Sequence, residues 1–269
     1  MRACNNVRLP GERIPFLIGE ASVGWVTVQF ASVLAGMADV EWGNGRVALH
    51  NPVALPAIAQ ELSQRGLFRF RGEAFDVRAA PDGAVLTQID RGAIPSFGIQ
   101  AVGVHVNGLV RRADGLHLWV ARRAKDKLLD PGKLDNVVAG GVPAGLGPFQ
   151  TLIKEAGEEA SIESEVASSA VCVGRISYEM ERREGLRRDL LYCYDLTLPE
   201  QFTPVGADGE VEGFELWPIG DVVRTVRETD QFKFNVNLVL IDLFIRIGLI
   251  AEPEAGSLRA GLSVTASPL

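Results

Sequence analysis

The chain is poor in the residues that would mark a disulfide framework, a zinc site or a membrane span. Its 269 residues include three cysteines, Cys4, Cys172 and Cys193, set far apart with no CxxC or Cys/His ligand spacing. An odd number cannot all pair within one chain, so reduced, structural thiols are expected. The three histidines, His50, His105 and His117, share no metal-ligand spacing either, and each is read first as a packed or surface side chain. Long apolar runs are missing: the longest near the C-terminus is broken by Asn237, Asp242 and Arg246. The opening residues, MRACNNVRLPGERIPF, lack the apolar core of a secretory signal, so a cytoplasmic protein with no membrane partner is expected. There is no basic excess. A net charge of -7 with interspersed signs leaves no stripe for a nucleic-acid polymer.

What is present is a hydrophobic content of 47%, ample for one large domain or two modest ones. The segment QIDRGAIPSFGIQ separates two differently patterned halves, so a boundary is placed near residue 95, in a connection expected to be open to proteases. Residues 1–95 read as a small α+β module: Leu55, Ile58, Ala59 and Leu62 recur at helical spacing before Gly66, flanked by strand-like GWVTVQF and LFRFRGEAFDVRA. Residues 96–250 read as a second domain. AVGVHVNGLVRR and LHLWVARRA form two strands, a short strand covers 136–139, and a long hairpin turns at Glu184-Gly185. An apolar helical face recurs at Phe234, Leu238, Ile241 and Ile245, and residues 251–269 are expected to be mobile.

The segment with the most chemistry is GGVPAGLGPFQTLIKEAGEEASI, residues 140–162. At 100° per residue, Phe149, Leu152, Ile153, Ala156 and Ala160 share one helix face while Glu155, Glu158 and Glu159 share another. Like charges at i,i+3 and i,i+4 cost a few tenths of a kcal/mol per pair, and the C-terminal end of a helix disfavours negative charge. A bound divalent cation reverses both penalties. The glycine-rich loop upstream lets backbone approach closely and leaves carbonyls free, and a set of oxygen donors suits Mg2+ or Mn2+ better than zinc. The plain alternative is a solvated acidic face.

These residues resemble the box of the Nudix hydrolase family, G-x5-E-x7-R-E-U-x-E-E-x-G-U, where U is bulky and apolar. Gly140, Glu155, Glu158, Glu159 and Ile162 match, while Leu146, Lys154 and Ser161 stand where the family has Glu, Arg and Gly, and Ala156 is a small occupant of an apolar slot. The stretches DGEVEGFELWPIGDV and FKFNVNLVLIDLFIRIGLI, with GWVTVQF and FRFRGEAFDV before the box, are similar to Nudix proteins related or fused to thiamine pyrophosphokinase in fungi. The resemblance implies an α/β/α sandwich with a mixed sheet, preceded by the small α+β module. It also implies a metal-dependent hydrolase of a small-molecule diphosphate, with oxidised or damaged thiamine diphosphate as the implied substrate. ADP-ribose, another nucleoside diphosphate derivative, or a catalytically weak binding module are the alternatives.

On this reading Gly140 (through its carbonyl), Glu155, Glu158 and Glu159 hold the metal, with Glu210 or Glu212 as a further carboxylate. The three box carboxylates are the catalytic candidates, with Glu158 and Glu159 both open as the base. Arg122, Arg123 and Lys127, which follow a strand, are the candidates for neutralising the substrate's phosphates. Trp25, Trp119, His105 and Phe232 are the candidates for a pocket around the organic end. The N-terminal module could supply a homodimer contact.

Overall fold

The computed structural model describes residues 4–207 and 209–262. The chain runs β1 (Arg13–Ile18), β2 (Ala21–Thr27), α1 (Val28–Leu34), β3 (Val40–Gly43), β4 (Arg46–Leu49), α2 (Leu55–Gln64), β5 (Ala74–Val77), β6 (Thr87–Asp90) and α3 (Ile94–Phe97). It continues β7 (Gln100–Arg112), β8 (Gly115–Arg123), β9 (Leu134–Asp135), β10 (Val138–Gly141), α4 (Pro148–Ala160), α5 (Ser164–Ala167), β11 (Val171–Arg182), β12 (Gly185–Thr197), β13 (Val211–Pro218), α6 (Ile219–Glu228), α7 (Val236–Arg246) and α8 (Glu254–Leu262).

The first four strands make a sheet of order β2-β1-β4-β3, in which β1 lies parallel to β4 and antiparallel to β2. Alternation puts Phe16 and Ile18 of β1 and Val47 and Leu49 of β4 on one face. There they meet the stripe Leu55, Ile58, Ala59 and Leu62 of α2. Burying each large aliphatic side chain of that stripe contributes about 1.5–3 kcal/mol. The ribbon β5–β6 stands apart from this sheet as an antiparallel pair.

The larger sheet has the order β11-β12-β7-β8-β13, with β12 parallel to β7 and the other neighbours antiparallel. Its important irregularity is a fork. Strands β7 and β8 pair only between 108–112 and 115–119; beyond that they diverge, β10 pairing with β7 and β9 with β8. Helix α4 covers one face through Leu152, Ala156 and Ala160 against Val104 and Val106. Helix α7 covers the other through Leu240, Leu243 and Phe244 against Leu118 and Val120. The result is a mixed sheet between helices, and no helix among the described residues is long and apolar enough to cross a membrane.

Two expectations change. The Gly/Pro/Ser-rich connection is not an open linker: its residues 94–97 form α3, with Ile94, Pro95 and Phe97 buried. The turn is wedged so tightly that a Cβ at Gly98 would lie 2.3 Å from the Trp25 carbonyl oxygen, and one at Gly185 would lie 2.5 Å from the Pro95 oxygen. Residues 254–262 of the expected mobile tail form α8, which buries Ala255 and Leu262; residues 263–269 lie outside the described residues.

Candidate functional site

Helix α4 starts at a defined point because Pro148 occupies its first turn and the Gln150 side chain accepts the Gly147 N–H at 2.9 Å. It ends at Ser161, whose φ of 52° is left-handed, and the Ser161 hydroxyl donates to the Val205 carbonyl at 2.8 Å. Between these ends, Leu152, Ala156 and Ala160 lock the helix to the sheet and aim the carboxylates toward β10.

The three carboxylates meet different surroundings. Glu155 is half-buried against the backbone of Gly140: a Cβ there would lie 2.8 Å from both Cγ and Cδ of Glu155, so only glycine leaves the carboxylate its seat. Burial raises the Glu155 pKa, with Lys154 acting in the opposite direction. Glu159 is buried, and Ala139 donates its N–H to Glu159 Oε2 at 2.9 Å. Burial pushes its pKa up to about 8, and the charges of Asp135, Glu155 and Glu210 add to the rise. Glu158 is exposed and pairs with the Lys154 ammonium, which also reaches Glu155 Oε1 at 3.2 Å.

Glu155, Glu159 and the Gly140 backbone therefore converge on one end of β10, while Glu158 lies at the rim. Among the described residues no three His, Cys, Asp or Glu side chains meet closely enough to hold an ion as they stand. The chemistry of the donors still fits a hard divalent cation. They are oxygens on a rigid helix and strand, and a Lys154 ammonium bridges two of the carboxylates. Glu210 belongs to the same neighbourhood, since its charge is felt at both Glu155 and Glu159; its carboxylate pairs with Lys127 and its carbonyl accepts the Ala124 N–H at 3.0 Å. Glu212 is exposed at a bulge in β13.

The cations expected at the substrate phosphates are largely spent on the protein itself. Arg123 donates to Asp135 at 2.8 Å and to the carbonyls of Leu129 and Asp130, which folds the 124–133 loop back on β8. Lys127 is paired with Glu210. Arg122 keeps more freedom: it is half-exposed, donates to the Gly132 carbonyl at 3.3 Å and stands 3.8 Å from Glu215.

The proposed aromatic pocket is not assembled either. Trp119 lies in the core under α4, Phe232 in the core under α7, and Trp25 beside a surface hollow of about 460 Å³ on the N-terminal sheet. A strand alternates its faces, so Trp119 and its neighbours Leu118 and Val120 must part.

Sequence reasoning missed a buried polar line through the fork. His105 Nδ1 lies 2.9 Å from Asn136 Oδ1, Asn136 donates to Asn107 at 2.8 Å, and Asn107 donates to Asp195 at 2.9 Å. Asp195 takes both guanidinium nitrogens of Arg246 on α7, at 2.6 and 3.0 Å. At the other end Asn235 Nδ2 lies 3.3 Å from His105 Nε2. Beside this line Lys233 stands 3.4 Å from Asp135, and both are buried. The available signal was polar Asp135-Asn136 set inside an otherwise apolar strand run.

The family described as "Domain of unknown function (DUF4743)" matches residues 1–101. Over 261 residues the chain is 37% identical to Nudix hydrolase 24, chloroplastic, of Arabidopsis thaliana, spanning 92% of this chain and 71% of that protein. Nudix hydrolase 20, chloroplastic, of the same plant is 36% identical, with the same shares covered. A solved structure from Deinococcus radiodurans, DR0079, aligns with a TM-score of 0.48 at 21% identity, over 62% of this chain and 97% of its own. Identity of this extent along nearly the whole chain, with the carboxylate helix at its centre, places the protein in the Nudix hydrolase family.

Proposed function

We propose that the protein hydrolyses the diphosphate linkage of a small molecule, with Mg2+ or Mn2+ held by Glu155, Glu159 and the Gly140 carbonyl. The carrying observation is the seat of Glu155 on Gly140 beside a Glu159 pinned to the Ala139 N–H. When bound, the cation supplies charge that polarises a phosphoryl group. The chain's own residues do the rest. Helix α4 holds Glu155 and Glu159 at fixed height over β10. Glu158, open to water at the rim, is placed to take a proton at its carboxylate from the attacking water. Glu210 adds a carboxylate from the loop before β13, and Arg122 is the basic side chain of β8 left with enough freedom to meet a phosphate oxygen. Residues 96–250 carry these carboxylates and Arg122, and residues 1–95 pack against their glycine-rich loop.

For the organic end, the proposed substrate is an oxidised or damaged thiamine diphosphate, cleaved to the monophosphate, and a nucleoside diphosphate derivative such as ADP-ribose is the competing one. Lys154 favours a second reading, a binding module of low turnover, because an ammonium lacks the planar fork with which arginine fixes a carboxylate. Phosphate release should be followed for oxidised thiamine diphosphate, thiamine diphosphate, ADP-ribose and nucleoside diphosphates under one Mg2+ concentration, comparing kcat/KM. Metal-dependent turnover of one of these is expected. Preference for ADP-ribose or a nucleotide would remove the thiamine assignment, and binding without turnover of any compound would establish the binding module.

A further inference from the structure

The ribbon β5–β6 of the N-terminal module touches the glycine-rich loop directly. Ala144 donates its N–H to the Ala74 carbonyl at 2.8 Å, and the Gly145 N–H faces Asp76 Oδ2 at 3.5 Å. Phe75 presses on Gly141, where a Cβ would lie 2.6 Å from its Cζ. The guanidinium carbon of Arg91 lies 3.7 Å from that same point and 5.6 Å from the centre of the Phe75 ring. Gly141 follows Gly140 in β10, and successive residues of a strand face opposite sides, so Arg91 and Glu155 meet the same end of that strand from its two faces.

From this placement we infer that Arg91 and Arg71 of the N-terminal module form the anion-binding wall of the diphosphate site. They take the phosphoryl group that lies away from the carboxylate helix. Both arginines are held by one device: the Asp90 carboxylate accepts the backbone N–H groups of Arg71, Gly72, Glu73 and Gly92 at 2.8–3.3 Å. Arg71 makes no ion pair among the described residues. Arg91 pairs with Glu73 at 2.8 Å, but both partners are solvated, and such a pair is weak. Arg71 is also crowded by like charge: partial burial and the nearby Arg91, Arg187 and Arg69 all lower its pKa, with Glu73 opposing. A dianion relieves that repulsion, and arginine's fork suits phosphate oxygens. By contrast, the cations of Arg123 and Lys127 are themselves more buried and are held by Asp135 and Glu210.

The inference deepens the diphosphate reading and rests on it, so the test separates binding from turnover. Imidodiphosphate, a diphosphate that resists hydrolysis, should be titrated calorimetrically with Mg2+ into the full chain at two salt concentrations. Arg91→Ala and Arg71→Ala should each weaken its binding about tenfold or more and flatten the salt dependence. Arg91→Lys should recover part of the loss, while melting temperature and Mg2+ binding alone stay at the wild-type values. On any compound that is turned over, the alanine variants should raise KM more than they lower kcat. Unchanged imidodiphosphate affinity in both alanine variants, or no binding by the wild type, overturns the inference. Tight binding that depends on both arginines, with no compound hydrolysed, upholds it while removing the hydrolase reading.

Discussion

Replacing Gly140 by alanine tests the seat of Glu155 with one added methyl group. The new Cβ would stand 2.8 Å from Cγ and Cδ of Glu155 and 3.0 Å from Oε2. Carbon atoms pack comfortably at about 3.5–4.0 Å, so relief needs a movement of roughly 0.7–1.2 Å. The α4 backbone resists moving because Leu152, Ala156 and Ala160 are buried against the sheet, whereas the Glu155 side chain can swing. The carboxylate therefore absorbs the shift. A misplacement of about 1 Å in a reacting constellation costs on the order of 100-fold in rate, or about 2.7 kcal/mol of barrier. Stability should fall by less than about 2 kcal/mol, since the overlap is with a flexible side chain. Phosphate release across a Mg2+ titration, with thermal melts on the same samples, reads both quantities. A rate within about threefold of wild type at saturating Mg2+ would refute the argument that Gly140 sets the carboxylate's position. A Tm drop beyond about 8 °C would show that the strand had moved instead.

Glu158→Gln and Glu159→Gln should each lower turnover about tenfold or more, equivalent to about 1.4 kcal/mol of barrier, with the chain still folded by circular dichroism. Ser161→Gly should relieve a left-handed conformation that costs about 1–2 kcal/mol but lose the hydroxyl bond to Val205, so urea melts should show a net gain below about 1 kcal/mol. Burial, then the Lys233 charge, lowers the His105 pKa to about 4, so below pH 6.5 the unfolded chain takes up a proton that the folded chain refuses. Stability from this group is complete above pH 6.5 and is lost as pH falls toward 4. The stability of the wild type relative to His105→Gln should therefore drop by about 2 kcal/mol between pH 7 and pH 5 in urea melts, the opposing contribution of the raised Glu159 pKa being common to both chains. Limited proteolysis should spare residues 94–99, because α3 and Ile99 are buried, and a first cut there would contradict the packing.

Local pattern was enough for α4, whose apolar and acidic faces follow directly from a period of 3.6, and for the long hairpin around Glu184-Gly185. It failed at 94–97 because Gly, Pro and Ser advertise a turn without saying what covers it. The cover comes from Trp25 and Leu186, far away in the chain. At Arg123 the sequence offered a cation after a strand, but not its ion pair with Asp135 in the next strand. The polar line through the fork was beyond reach for the same reason: Asn107 and Asp195 are 88 residues apart, and Asn235 and His105 are 130. Gly140 entered as a metal-side candidate through resemblance, and its close contact with Glu155 is a matter of three-dimensional packing that the sequence does not display.

The amides of that line have a direction. A carboxamide donates at one end and accepts at the other, so once Asn107 donates to Asp195, its oxygen must receive Asn136. Asn136 in turn must accept from His105, which places the imidazole proton on Nδ1 and leaves Nε2 to receive Asn235. The carboxylate of Asp195, itself held by Arg246, thus dictates the tautomer of a ring three hydrogen bonds away. Exchanging any one asparagine for aspartate would break the polarity of the whole row, since a carboxylate can only accept.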